Sequence, residues 1–211
     1  MNYDLYVITD QKISHGKSHL EVAEAVLAGG ATIIQFRDKE MKDFEAEEIC
    51  FKIHQLVKAE EIAFIVDDRV VVAKKVHADG VHLGQEDMSI KLARKIMDKN
   101  QVIGISVETV EQAIKAVEEG ADYLGVGPIY PTTTKFDAGK ALGVERLKEI
   151  KEVVNIPIVA IGGINEDNLE EVLRAGADGV AVISAVVSAP DITQACRKLK
   201  NKIEYIKKRK A

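Results

Sequence analysis

The chain has 211 residues, 46% hydrophobic but only 5% aromatic and without Trp, a composition suited to one sizeable aliphatic core of the kind buried parallel strands build. A formal net charge of -5 argues against a nucleic-acid surface, which needs clustered basic excess. The two cysteines, Cys50 and Cys196, lie far apart and outside any Cys-x-x-Cys spacing, so they read as reduced core thiols rather than a disulfide or a zinc site.

The first apolar run, Leu5–Ile8, begins almost at once, with Asp4 where a secretory leader would be basic. Ser18–Leu27 follows at helical spacing, then a strand at Thr32–Phe36. From the end of that strand onward Gln35, Arg37 and Lys39 alternate with Phe36 and Asp38. Strand alternation sends Gln35, Arg37 and Lys39 to the side of Ile33, which makes anion binding the better reading of the two cations. A helix at Asp43–Val57 leads to a strand at Ala63–Val66 that ends in Asp67-Asp68-Arg69, and a helix at Arg69–Val76 to a strand at Gly80–Leu83 that ends in Gly84-Gln85-Glu86-Asp87. Taken singly, Asp68 and Asp87 read as helix N-caps; taken together on adjacent strands they suit a hard cation such as Mg²⁺.

A helix at Ser89–Met97 precedes the strand Val102–Ile105, which ends at Ser106. Val110–Glu118 is the next helix and Tyr123–Val126 the next strand. A long helix-free segment then runs from Gly127 to about Gly143, with Thr132, Thr133, Thr134 and Lys135 in succession. A loop of that length is costly to order, and hydroxyls with one ammonium suit a phosphorylated ligand. The rest alternates in the same way, with a helix at Val144–Val153, a strand at Ile158–Ile161 closed by Gly162-Gly163, a helix at Glu166–Arg174, a strand at Gly179–Ile183 followed by Ser184, and a helix at Thr193–Ile206. Gly163, Ile183 and Ser184 stand where backbone N–H groups after the last two strands can take a phosphate.

His82 lies mid-strand and reads as a satisfied core histidine; His15, His19, His54 and His77 are expected in loops or on helix surfaces. The longest apolar run, Gly179 to Ala189, is too short to span a bilayer, and the basic tail from Lys207 matches the cations favoured at a helix C-terminus. A cytoplasmic protein with neither membrane nor nucleic-acid partner is expected.

Eight strands alternating with eight helices is the count that closes an α/β barrel, so residues 1–211 are expected to form a single (β/α)8 TIM barrel domain. An internal echo supports it: Gly29-Gly30-Ala31, Ala78-Asp79-Gly80, Gly120-Ala121-Asp122 and Gly176-Ala177-Asp178 each stand just before an even-numbered strand. In six of the eight cases chemistry-capable residues follow a strand's C-terminal end, where such barrels place their reactions.

Gln35-x-Arg37-x-Lys39, Asp68, Gly84-Gln85-Glu86-Asp87, the segment Gly127 to Lys135, Ile161-Gly162-Gly163-Ile164 and Ile183-Ser184, in this order over essentially the whole chain, resemble the thiamine-phosphate synthase family. The resemblance implies a transferase that joins a pyrimidine diphosphate to a thiazole phosphate and releases pyrophosphate. By matching position it implies that Gln35, Arg37, Lys39, Ser106 and Lys135 hold the pyrimidine diphosphate, with Arg37, Lys39, Ser106 and Lys135 acting in catalysis. Asp68 and Asp87 would hold Mg²⁺, and Thr132, Thr134, Gly163, Ile183 and Ser184 the thiazole phosphate. Asp67 stands where the family usually has an Asn that touches the pyrimidine, and an acceptor-only carboxylate alters that contact. Two alternatives are a tautomerase-like barrel acting on the thiazole phosphate alone, expected to lack the acidic pair and the Thr-rich loop, and a non-catalytic sensor of phosphate ligands.

Overall fold

The computed structural model describes residues 1–58, 60, 62–134 and 139–209. Eight parallel strands pair in chain order and close on themselves: β1 (Leu5–Ile8), β2 (Ile33–Phe36), β3 (Ala63–Asp67), β4 (Gly80–Leu83), β5 (Val102–Val107), β6 (Tyr123–Val126), β7 (Ile158–Ile161) and β8 (Gly179–Val182). Closure is made where Leu5, Tyr6 and Val7 register with Val180, Ala181 and Val182. The helices α1 (His19–Ala28), α2 (Asp43–Lys58), α3 (Val70–Lys75), α4 (Ile90–Ile96), α5 (Val110–Glu119), α6 (Gly143–Val153) and α7 (Leu169–Arg174) link successive strands, and α8 (Ser184–Val187) and α9 (Ile192–Lys208) follow the last. The expected (β/α)8 barrel is the fold found.

Alternation along the strands divides the apolar residues into two cores. Outward side chains such as Ile34, Phe36, Phe64, Val66 and Val81 pack under the helices, whereas Tyr6, Ile8, Ile33, Ile65, Tyr123, Val159 and Ala181 fill the barrel axis. Of the inward strand positions, 80, 104, 125 and 179 are glycine, and at two of them the missing side chain leaves room for a ring. A Cβ on Gly104 would fall 2.1 Å from Tyr123 Cζ, and one on Gly125 would fall 2.9 Å from His82 Cε1. The glycines therefore make the space that these two rings occupy.

The echo before the even strands has a physical basis. Phe64, Ile103 and Ile158, near the N-terminal ends of β3, β5 and β7, donate their N–H groups to the carboxylates of Asp79, Asp122 and Asp178 at 2.8, 2.7 and 2.8 Å. Leu5 at the start of β1 donates in the same way to the Thr32 hydroxyl at 3.0 Å. Each such group thus closes the start of one odd strand from the turn before the next even one, satisfying a backbone donor at the end opposite the loops of interest.

Small departures from expectation have local causes. Thr32 lies just outside β2. The seventh helix begins at Leu169 rather than Glu166 because Asn165 N–H is taken by Asn168 Oδ1 at 2.9 Å, which holds the preceding residues in a turn. Strand β8 stops at Val182, since Ile183 leaves the extended region and opens α8, a short helix ahead of the one expected at Thr193–Ile206.

Cys50 and Cys196 are buried and unpaired, and burial pushes both thiols up to about 12. A raised thiol pKa favours the neutral group in the folded state. Its contribution to stability is complete below the ordinary value of 9.0 and is lost as pH climbs towards 12. The native protein should resist alkylation by iodoacetamide at pH values where the unfolded chain reacts, and its unfolding free energy, followed by guanidinium titration, should decline as pH rises above the ordinary thiol range.

Candidate functional site

Two cavities open at the C-terminal ends of the strands, of about 630 Å³ and about 100 Å³. They share Ser106, Gly125, Ile161, Ala181 and Ile183, so they form one continuous mouth. The smaller is lined by Gln35, Arg37, Lys39, Asp67, Asp68, His82 and Asp87 over the axial side chains of Tyr6 and Tyr123. Around the larger lie Glu108, Pro128, Thr132, Thr134, Gly162, Gly163 and Ser184. The two chambers bring together all the candidate residues that are described: Gln35, Arg37, Lys39, Asp67, Asp68, Asp87, Ser106, Thr132, Thr134, Gly163, Ile183 and Ser184. Lys135 lies outside the described residues.

Charge in the smaller chamber is tightly arranged. Arg37 Nη1 donates to Asp10 Oδ2 at 3.1 Å, and Arg37 Nε lies 3.6 Å from Asp67 Oδ2. Lys39 Nζ is 3.5 Å from Asp67 Oδ2 and also pairs with Asp68. Burial drives the Asp67 carboxyl above its ordinary pKa, prevailing over Lys39 and Arg37, which pull it down, and aided by the nearby charge of Asp87. Among the described residues Arg37 and Lys39 thus face Asp10, Asp67, Asp68 and Asp87, two cations against four carboxylates. A phosphate ester entering here needs further positive charge. Among the described residues no group of three or more metal-binding side chains converges. Two carboxylates are nevertheless a suitable protein share for Mg²⁺, which completes its shell with water and substrate oxygens, and Lys39 already shows Asp68 in contact with a cation.

The expectation of Asp68 and Asp87 as helix N-caps is corrected. Asp68 sits in a left-handed conformation (φ 57°) one residue ahead of Arg69, the N-cap of α3, and Asp87 bonds backward, its Oδ2 accepting from Gly84 N–H at 2.6 Å. Ser89 is the N-cap of α4. His19 and His54, expected on surfaces, are buried. His19 Nδ1 lies 2.7 Å from Thr9 Oγ1 and its Nε2 3.2 Å from Asp38 Oδ2, while burial holds its pKa below the ordinary value against the opposing pull of Asp38. His54 reaches the Val76 carbonyl at 2.9 Å. His82 is satisfied as expected, but in the barrel axis, where it lines the mouth.

The larger chamber depends on contact between loops. Ile129 and Tyr130 N–H groups bond the carbonyls of Ile161 and Gly162 at 2.8 and 3.0 Å. Gly162 and Gly163 both have positive φ, 97° and 64°, and a Cβ on Gly163 would sit 2.7 Å from the Pro131 carbonyl. Thr134 Oγ1 donates to Ser184 Oγ at 3.0 Å, tying the Thr-rich loop to the first turn after β8.

A protein-family model described as thiamine monophosphate synthase matches residues 5–186. The chain belongs to this family. Among curated relatives, the thiamine-phosphate synthase of Methanospirillum hungatei is 52% identical over 198 residues, covering 94% of this chain and 96% of the relative. That of Chloroflexus aurantiacus is 48% identical over 200 residues, covering 95% and 92%. The solved structure of thiamine phosphate pyrophosphorylase from Pyrococcus furiosus superposes with a TM-score of 0.90 at 47% identity and covers 97% of each chain. As a member of the thiamine-phosphate synthase family the chain is an enzyme, a transferase.

Several residues of the mouth are not evident from sequence. Asp10 and Thr9, at the end of β1, support Arg37 from below; the Arg37 N–H lies 3.5 Å from Thr9 Oγ1. Their position just past a strand end is the available signal. Tyr123 reads only as a strand residue, although it falls at an inward position. Glu108 in the larger chamber carries no signal.

Replacing Gly163 with Ala should cost about 1–3 kcal/mol through the disfavoured positive φ and the overlap with Pro131. Chemical denaturation reads the loss.

Proposed function

We propose that this thiamine-phosphate synthase family enzyme uses the smaller chamber for hydroxymethylpyrimidine diphosphate and the larger for thiazole phosphate or its carboxylate, with residues 1–211 serving as one catalytic domain. The observation that carries this reading is the meeting of the two chambers at Ser106: one is rimmed by cations and carboxylates, the other by hydroxyls and glycines. Two phosphorylated small molecules can then lie end to end with their reacting atoms at the junction.

In this scheme the bond between the pyrimidine methylene and the diphosphate oxygen breaks, and the electron pair leaves with pyrophosphate. The amino group of the pyrimidine spreads the resulting positive charge, the thiazole nitrogen supplies the pair for the new C–N bond, and the products are thiamine phosphate and pyrophosphate. Arg37, Lys39 and Lys135 hold the departing pyrophosphate, and Ser106 offers a hydroxyl at the junction. Gln35 and Asp67 face the pyrimidine, and Thr132, Thr134, Gly163, Ile183 and Ser184 hold the thiazole phosphate through hydroxyls and backbone N–H groups. Asp68 and Asp87 would hold Mg²⁺, which would offset the diphosphate charge beside the carboxylates of this chamber. Enclosure at the mouth limits the access of water, which would otherwise capture the carbocation. No helix among the described residues is long and apolar enough to cross a membrane, and a cytoplasmic location fits these small polar substrates.

Incubation with both substrates and Mg²⁺ should yield thiamine phosphate and pyrophosphate in equal amounts, and a chelator should abolish both. Conversion of thiazole phosphate alone, without pyrophosphate, would favour a tautomerase; binding without turnover would favour a sensor. Asp87→Asn keeps an acceptor for the Gly84 N–H while removing the charge. It should lower turnover by about 10²-fold or more with little change in melting temperature.

A further inference from the structure

Five polar side chains form an unbroken path across the barrel axis, from β2 to β5. Gln35 Nε2 donates to Tyr6 Oη at 3.1 Å, Tyr6 Oη lies 3.0 Å from Tyr123 Oη, Tyr123 Oη lies 3.0 Å from His82 Nδ1, and His82 Nε2 lies 3.0 Å from Ser106 Oγ. Tyr6 and Tyr123 are buried, and burial holds both phenols far above their ordinary pKa, so each keeps its proton. Glycines at 104 and 125 clear the space for the Tyr123 and His82 rings.

With the Gln35 amide as donor to Tyr6, the remaining donors and acceptors on this path fall into one direction. Tyr6 accepts from the Gln35 amide, and its other hydrogen-bond partner among the described residues is Tyr123, so its proton points there, since an unpaired buried hydroxyl proton is costly. Tyr123 then accepts from Tyr6 and donates to His82 Nδ1. With Nδ1 an acceptor, the neutral imidazole carries its proton on Nε2 and donates to Ser106 Oγ. Both ends are set as a result. Gln35 has committed an N–H inward, and its carbonyl oxygen, which has no hydrogen-bond partner among the described residues, serves as an acceptor. Ser106, already accepting from His82, has its own proton to give.

We infer that the Gln35–Tyr6–Tyr123–His82–Ser106 chain is a polarity relay in which Tyr6, Tyr123 and His82 are positioning residues that hold an acceptor at one side of the smaller chamber and a hydroxyl donor at the other. The inference rests on the functional reading above for its consequence: an acceptor at Gln35 receives the exocyclic amine of the pyrimidine, and a donor at Ser106 faces the leaving diphosphate. A pyrimidine with an oxo group in place of the amine would set acceptor against acceptor and be rejected.

Two measurements test the relay. Nitrogen NMR on the ligand-free protein labelled in its histidines should show the His82 proton on Nε2 with Nδ1 accepting a hydrogen bond, and Tyr123→Phe should move the Nδ1 signal towards that of a free acceptor. A proton on Nδ1 of the wild-type ring overturns the relay. In steady-state kinetics, Tyr123→Phe should raise KM for the pyrimidine diphosphate by about tenfold and leave KM for the thiazole phosphate unchanged. In a Ser106→Ala background the same substitution should cost distinctly less than in the wild type, because one end of the path is already gone. Equal costs in both backgrounds would overturn the inference. Should Tyr123→Phe fail to fold, Tyr6→Phe makes the same test from the neighbouring link. An inactive wild-type protein would count against the functional reading instead, and the NMR result would stand apart from it.

Discussion

Closure of the sheet between β8 and β1 is the constraint on which the rest of the molecule depends. Parallel strands joined through helices point the same way, and a closed circle of them gathers every C-terminal end at one rim. Arg37 and Asp87, or Thr134 and Ser184, are far apart in the chain and become neighbours at the mouth for this reason alone. At the opposite rim Asp79, Asp122 and Asp178 with Thr32 secure the strand starts, so stability and chemistry are assigned to different ends.

Within the mouth the governing balance is electrostatic. Among the described residues carboxylates outnumber cations around the smaller chamber, and Asp67 is ionised only against a burial penalty that its two cationic neighbours do not overcome. Such a rim attracts cations more readily than anions when empty. It becomes hospitable to a diphosphate once extra positive charge accompanies the substrate, which links the order in which charges arrive to the affinity of the site.

The fold is legible in the sequence because the hydrophobic periods switch cleanly between strand and helix, and because strand alternation fixes side-chain direction. Gln35, Arg37 and Lys39 fall on the inner side by that rule alone. Short-range signals mislead where tertiary geometry prevails. Asp68 and Asp87 look like caps because each precedes a helix, yet a left-handed turn and a backward hydrogen bond turn them elsewhere. His19 and His54 look like surface residues on amphipathic helices, but their partners, Thr9 with Asp38 and the Val76 carbonyl, come from neighbouring units that no local pattern reveals. Tyr123 is illegible for the same reason, since its partners Tyr6 and His82 stand on other strands.

The axis is filled below the mouth by Tyr6, Ile33, Ile65 and Tyr123, each at most 2% exposed. The barrel is therefore a blind well, closed at its floor and open at one rim. For an enzyme that takes in two molecules and sends out two, a single doorway makes traffic sequential: whichever product remains at the threshold delays the other's departure and bars the next arrival. Turnover in such a vessel is governed by the order of leaving as much as by the breaking and making of bonds.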